Sequence, residues 1–212
     1  MDSVAIIDYG MGNLHSIAKA VQHAGPNVRI EVTDRPEQIL AADRVIFPGV
    51  GAMRDCMAQL SQRGLVEVLK EAAERRPFLG ICLGMQALLD QTEENGGTAT
   101  LGLIQGEVLR FPEGQVDARG HRLKIPHMGW NRVMPTQAHP IWAGIPQGSW
   151  FYFVHSYYAQ PRNPAHVAAT TDYPGPFASA VADGPVVAVQ FHPEKSQALG
   201  LKLLGNFLAW SP

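Results

Sequence analysis

The N-terminal half of the chain alternates short β-branched runs with longer stretches of helical period, the pattern that βαβ units around a mostly parallel sheet impose. Residues 4–8 read as a first strand. Asn13 stands ready to cap a helix whose apolar Leu14, Ile17, Ala18 and Val21 fall at i, i+3, i+4 and i+7, and Gly25 sits where that helix should stop. Residues 28–32 form the next expected strand. A short helix after Pro36 leads to the buried-type strand Arg44-Val45-Ile46-Phe47, ended by the loop Pro48-Gly49-Val50-Gly51-Ala52. A helix over 65–75, a strand over 77–81 and a helical segment over 85–90 follow. The second half changes character: residues 105–111, 130–134, 150–159, 167–170 and two runs near 177–190 read as strands joined by turns, an antiparallel or mixed portion. Ser196 is expected to cap a last amphipathic helix through Leu203, Leu204, Phe207 and Leu208. The expected fold is α/β: one domain over 1–212, a mostly parallel central sheet flanked by helices, plus the antiparallel portion. The loops at 92–98 and 112–122 are the expected mobile segments.

Charge excludes some functions. Seventeen basic against 19 acidic residues, a net of −2, leave no basic stripe to neutralise a phosphate backbone, so neither nucleic acid nor a membrane surface is an expected partner. No apolar run approaches the roughly 18 to 20 residues that cross a bilayer. The 2 cysteines, Cys56 and Cys82, form no CxxC pair, and a reducing cytoplasm is the simplest compartment. The histidines show no paired ligand spacing, so no metal or other cofactor is expected.

Gly80-Ile81-Cys82-Leu83-Gly84 has the form G-x-C-x-G between an expected strand and an expected helix, the cysteine version of a nucleophile elbow. A side chain projecting from so sharp a turn needs neighbours without Cβ atoms, and a helix starting after it would favour thiolate over thiol. Cys56 lacks glycine context and reads as packing. A cysteine nucleophile needs a base and a group to orient the base. His192 and Glu194 can supply both, delivered to the C-terminal end of the apolar strand Val186-Val187-Ala188-Val189, the end at which ligands bind in open α/β sheets. Pro193 between them denies that strand an N–H and ends it. The order nucleophile, His, acid differs from that of α/β-hydrolases.

Three segments in this order, Pro48-Gly49-Val50-Gly51, Gly80-Ile81-Cys82-Leu83-Gly84-Met85-Gln86 and Phe191-His192-Pro193-Glu194-Lys195, together resemble the class I (triad) glutamine amidotransferases. The resemblance spans nearly the whole chain. It implies that Cys82 attacks the glutamine carboxamide, that His192 carries the proton to departing ammonia and that Glu194 orients His192. It also implies an oxyanion hole from the Leu83 N–H and an N–H of the Gly49, Val50, Gly51 loop, with Gln86 binding substrate. Asp8-Tyr9-Gly10-Met11-Gly12-Asn13-Leu14, Pro126-His127-Met128-Gly129-Trp130-Asn131 and Val154-His155-Ser156-Tyr157-Tyr158 resemble a narrower branch, the glutaminase subunits of imidazole glycerol phosphate synthases. In that branch His155, Ser156 and Tyr157 would hold the amino and carboxylate ends of glutamine. Asn13, Met128, Gly129, Trp130, Tyr152 and Lys195 would lie near a partner, a (β/α)8-barrel cyclase that makes imidazole glycerol phosphate and AICAR in histidine biosynthesis. His15 stands where the branch leads one to expect arginine.

The residues taken alone leave other readings open. His155 could be a core histidine, Trp130 and Tyr152 core aromatics, and Lys195 a solvated side chain. Another class I amidotransferase or a stand-alone γ-glutamyl hydrolase would share the triad, and a silent binding module could share the fold. With no Walker loop and no phosphate fingerprint, the chain is equipped to make ammonia and not to use it.

Overall fold

A computed structural model describes residues 2–116 and 120–212. The chain runs β1 (Ser3–Ile7), α1 (Leu14–Ala24), β2 (Arg29–Thr33), α2 (Pro36–Ala41), β3 (Arg44–Gly49), α3 (Met53–Gln62), α4 (Leu65–Arg75), β4 (Phe78–Cys82) and α5 (Leu83–Gln86). It continues through β5 (Gln91–Thr92), β6 (Thr98–Ala99), β7 (Gly106–Arg110), β8 (His127–Pro135), β9 (Ser149–His155) and β10 (Tyr157–Pro161). It ends with β11 (Val167–Asp172), β12 (Pro176–Asp183), β13 (Val186–Val189) and α6 (Gln197–Ala209).

The strands join one sheet in the order β2-β1-β3-β4-β13-β12-β10-β7-β5-β6, with β11, β8 and β9 branching from β12. Neighbours from β2 to β13 are parallel, and the pairs β13–β12, β12–β10, β10–β7, β12–β11, β11–β8 and β8–β9 are antiparallel. The α/β expectation therefore holds in both halves. The last strand, β13, inserts beside β4, so the C-terminal motif is carried back to the middle of the sheet. Val187 and Val189 point into the layer under α1 and α6, while Val186 and Ala188 point into the layer under α2 to α5. Each fully buried Val, Ile or Phe of these layers contributes about 1.5–3 kcal/mol of hydrophobic burial.

Four local readings are corrected. The segment after Cys82 is helical only over Leu83–Gln86, because the chain turns at Ala87 to follow β5. A single turn has little dipole, so the help expected from a helix after Cys82 is small. α3 had no counterpart in the sequence reading: Met53, Cys56 and Leu60 bury one narrow face among polar residues, and its start is capped from a distant segment, Glu94 Oε2 accepting from Met53 N at 2.7 Å, and not by its own N-cap residue Ala52. The 150–159 run breaks at Ser156 into β9 and β10, which pair with different strands. Ser196 makes no side-chain cap. The 92–98 segment carries β5, β6 and a 3-10 turn between them, and the centre of the 112–122 segment, 117–119, lies outside the described residues. Among the described residues no helix is long and apolar enough to cross a membrane.

Candidate active site

Three adjacent parallel strands end level with one another. Gly49 at the end of β3 pairs with Cys82 at the end of β4, and Val189 at the end of β13 pairs with Ile81. Cys82 has φ +56° and ψ −109°, a strained conformation for a residue with a Cβ, and it makes the strand-to-helix turn. The flanking glycines are sterically required. A Cβ at Gly84 would overlap the Phe47 carbonyl, and one at Gly80 would stand 2.9 Å from Ala188 Cβ. The fully buried Tyr9 donates its hydroxyl to Pro48 O at 3.0 Å, which pins the start of the glycine loop.

The Cys82 side chain borders a cavity of about 320 Å³, at the small end of ligand pockets (about 300–1,000 Å³). Its walls include Val50, Gly51, Leu83, Gln86, His155, Ser156, Tyr157 and His192, all given site roles from the sequence, together with Pro126 and Val154, which open two of the resembling segments without a role of their own, and Glu94, which was not singled out. Gly49 lies behind this wall as the backbone partner of Cys82.

His192 sits on the turn after β13, its side chain 3% exposed, and its Nδ1–H donates to Glu194 Oε1 at 2.8 Å. That bond directs Nε2 away from the carboxylate. Nε2 is buried without a hydrogen-bond partner of good geometry, and the group that acts on the ring beside Glu194 is the Cys82 sulfur. Burial alone would depress the imidazole; the hydrogen bonds and charges of Cys82 and Glu194 outweigh it and push the pKa up to about 10. The arrangement favours the imidazolium form of His192. Its backbone is clamped twice: His192 N–H donates to Tyr152 O at 2.9 Å, and Ser196 Oγ donates to His192 O at 2.6 Å while accepting from Tyr152 N. This clamp is where the Ser196 hydroxyl goes instead of capping α6. Cys56, by contrast, is fully buried among apolar residues, and its thiol is pushed up to about 12.

Gln86 is buried, and its Nε2 donates to Tyr157 O at 2.9 Å and to Gln190 Oε1 at 3.0 Å. His155 uses both ring nitrogens within the protein, on Tyr157 O at 2.8 Å and on His127 at 2.9 Å, so its imidazole has no free nitrogen to offer a ligand. Ser156 and Tyr157 present the bend between β9 and β10 to the cavity. Gln190 escaped the sequence reading. Its signal was a polar residue closing an apolar strand two positions before His192.

The residues expected near a partner form an exposed face. Met128 is 62% and Trp130 43% exposed on β8, which excludes the core-aromatic reading of Trp130. Trp130 meets Tyr152 edge-on at 6.1 Å, and Lys195 Nζ lies 5.8 Å over the Tyr152 ring. Gly129, at φ +130°, lies between Met128 and Trp130. Asn13, exposed, caps α1 by accepting from Ser16 N, and α1 packs against the turn that carries Lys195.

Comparison with known proteins agrees with this geometry. A family profile described as glutamine amidotransferase class-I matches residues 5–209. The chain is 70% identical over 213 residues to imidazole glycerol phosphate synthase subunit HisH of Methylococcus capsulatus, covering 100% of this chain and 98% of that one. It is 54% identical over 210 residues to the HisH subunit of Thiobacillus denitrificans, covering 99% and 92%. A crystal structure of a glutamine amidotransferase shares the fold, with TM-score 0.72, 17% identity and 97% coverage of each chain.

Proposed function

The chain belongs to the class-I glutamine amidotransferases, and on that footing we propose that it is the glutaminase subunit of an imidazole glycerol phosphate synthase, hydrolysing glutamine through Cys82, His192 and Glu194. The observation that carries the catalytic assignment is the unpartnered His192 Nε2 facing Cys82 while Nδ1 is held by Glu194 at 2.8 Å. The Cys82 thiolate attacks the carboxamide carbon, forming a C–S bond and a tetrahedral oxyanion. In this reading the Leu83 N–H and an N–H of the Gly49–Gly51 loop receive that charge. Collapse breaks the C–N bond as His192 gives its proton to the departing nitrogen, leaving a γ-glutamyl thioester and ammonia. Neutral His192 then takes a proton from water, whose oxygen attacks the thioester. The C–S bond breaks, the thiolate–imidazolium pair is restored, and the new carboxyl of glutamate loses its proton to solvent. A thiolate nucleophile and two free thiols fit a reducing cytoplasm.

Ammonia released into water near neutral pH is protonated and loses its nucleophilicity, so a consumer must dock closely. The exposed Met128 and Trp130 on β8 are the surface for it: Met128 pairs with Val154, which is itself a wall of the cavity. The partner this reading supplies is the (β/α)8-barrel cyclase. The test measures glutamine hydrolysis with and without that subunit and its ligand. Little activity alone and a large gain on mixing are expected, with Trp130→Ala costing about 2 kcal/mol or more of complex stability. High turnover by the chain alone, unchanged on mixing, would contradict the coupling.

A further inference from the structure

Gln190 is a fully buried polar side chain between the apolar β13 and His192. Because Val189 pairs with Ile81, the next residue along lies level with Cys82, and Gln190 Nε2 donates toward Cys82 Sγ at 3.7 Å. Its Oε1 accepts from Gln86 Nε2, which fixes which end of the amide carries the protons. Gln86 Nε2 also donates to Tyr157 O, and Tyr157 O accepts a second hydrogen bond from His155 Nδ1. With its proton on Nδ1, His155 can only accept at Nε2, and the donor there is His127 Nδ1 at 2.9 Å. His127 Nε2 accepts in turn from Asn131 Nδ2 at 3.1 Å. A carbonyl at one end and an amide at the other thus dictate every proton, provided both imidazoles are neutral. Burial secures that condition, lowering His155 to about 3 and His127 to about 4.

We propose that Gln190 is a further catalytic residue, donating its amide N–H to the Cys82 thiolate, and that His127 is a positioning residue that keeps this amide turned toward the sulfur through His155, Tyr157 O and Gln86. The proposal rests on Cys82 being the nucleophile. Besides the facing His192 ring, the sulfur meets Val154 O at 4.0 Å, an acceptor that can serve only the neutral thiol. A donor favours the charged form. It also differs in kind from His192, whose charge comes and goes through the cycle: an amide cannot titrate and offers the sulfur the same N–H in every state.

The test is the pH profile of Cys82 alkylation by iodoacetamide in the full chain, read by peptide mass. The titratable groups around the sulfur are His192 with Glu194, His155 at the end of β9, Tyr9 after β1 and Glu94 in the cavity wall; Gln190→Met leaves all of them in place, while His127→Phe also changes the surroundings of His155. Gln190→Met keeps the shape and removes the donor; His127→Phe keeps the aromatic packing and removes its donor. Both are expected to slow alkylation at about pH 6 roughly tenfold relative to their own rate at about pH 9, the worth of one charge-assisted hydrogen bond. His127→Asn, which returns an N–H near the Nδ1 position, restores most of the loss. Profiles superimposable on that of the unsubstituted chain overturn the proposal. If the variants do not fold, the unsubstituted chain decides: the Gln190 side-chain amide resonances must move as Cys82 ionises and stay still in Cys82→Ala, and indifference to Cys82 overturns it. Failure of the unsubstituted chain to alkylate Cys82 faster than Cys56 would overturn the nucleophile reading itself, a result distinct from an unaltered profile in Gln190→Met.

Discussion

At the scale of single residues, the site depends on one strained backbone and one displaced protonation equilibrium. Holding Cys82 at positive φ costs on the order of 1–3 kcal/mol, sustained because the glycine-flanked turn between β4 and α5 has no room for an alternative path. His192 is the displaced group, with a folded pKa of about 10 against about 6.5 for the free side chain. A raised pKa means that the folded state binds the proton more tightly, so the pair's contribution is fully present below about pH 6.5 and is lost as pH rises through about 10. Melting temperatures taken from about pH 7 to 10 should therefore fall more steeply for the parent chain than for His192→Asn. Parallel curves would show that His192 is not held protonated. The proposed triad could be picked out in the sequence because its signals are local: Cys82 lies between glycines, and His192 and Glu194 are two residues apart. Gln190 was missed: a polar residue closing an apolar strand marks it locally, but its place beside Cys82 follows from the β4–β13 register, which no local pattern encodes.

At the scale of elements, close packing decides which substitutions the elbow tolerates. Gly84 on α5 lies so near β3 that any Cβ would enter the Phe47 carbonyl, whereas Gly64, at φ +67° with nothing near its Cβ position, is restricted only by its backbone angle. Gly84→Ala should cost about 3 kcal/mol or more in urea unfolding through overpacking, and should lower Cys82 reactivity by displacing the turn. A loss under about 1 kcal/mol would contradict this account of the elbow. Elements with strong periodicity were readable: α4 occupies Leu65–Arg75, as its pattern required, and α1 is capped by Asn13. α3 was not, because its apolar face is only three residues wide among Arg54, Asp55, Gln59, Ser61 and Gln62. The short α5 and the break at Ser156 also resisted reading, since in both places pairing with distant strands overrides local propensity.

At the scale of the whole molecule, function follows from where the sheet returns its last strand. Were β13 at an edge, His192 and Glu194 would be far from Cys82; inserted between β4 and β12, it brings the C-terminal motif beside the elbow and the glycine loop at one end of the sheet. The antiparallel branch supplies the opposite wall through His155, Ser156 and Tyr157, and its outer face carries Met128 and Trp130. The βαβ half of this plan was visible in the alternation of runs, while the place of the last strand follows only from pairings across more than a hundred residues. The most direct measurement is covalent trapping: the full chain is treated with an electrophilic glutamine analogue, and the adduct is located by peptide mass. One adduct, on Cys82, retained in Cys56→Ala and lost in Cys82→Ala, is the expected result; an adduct on Cys56, or none on a folded chain supplied with the proposed cyclase subunit, would contradict the triad.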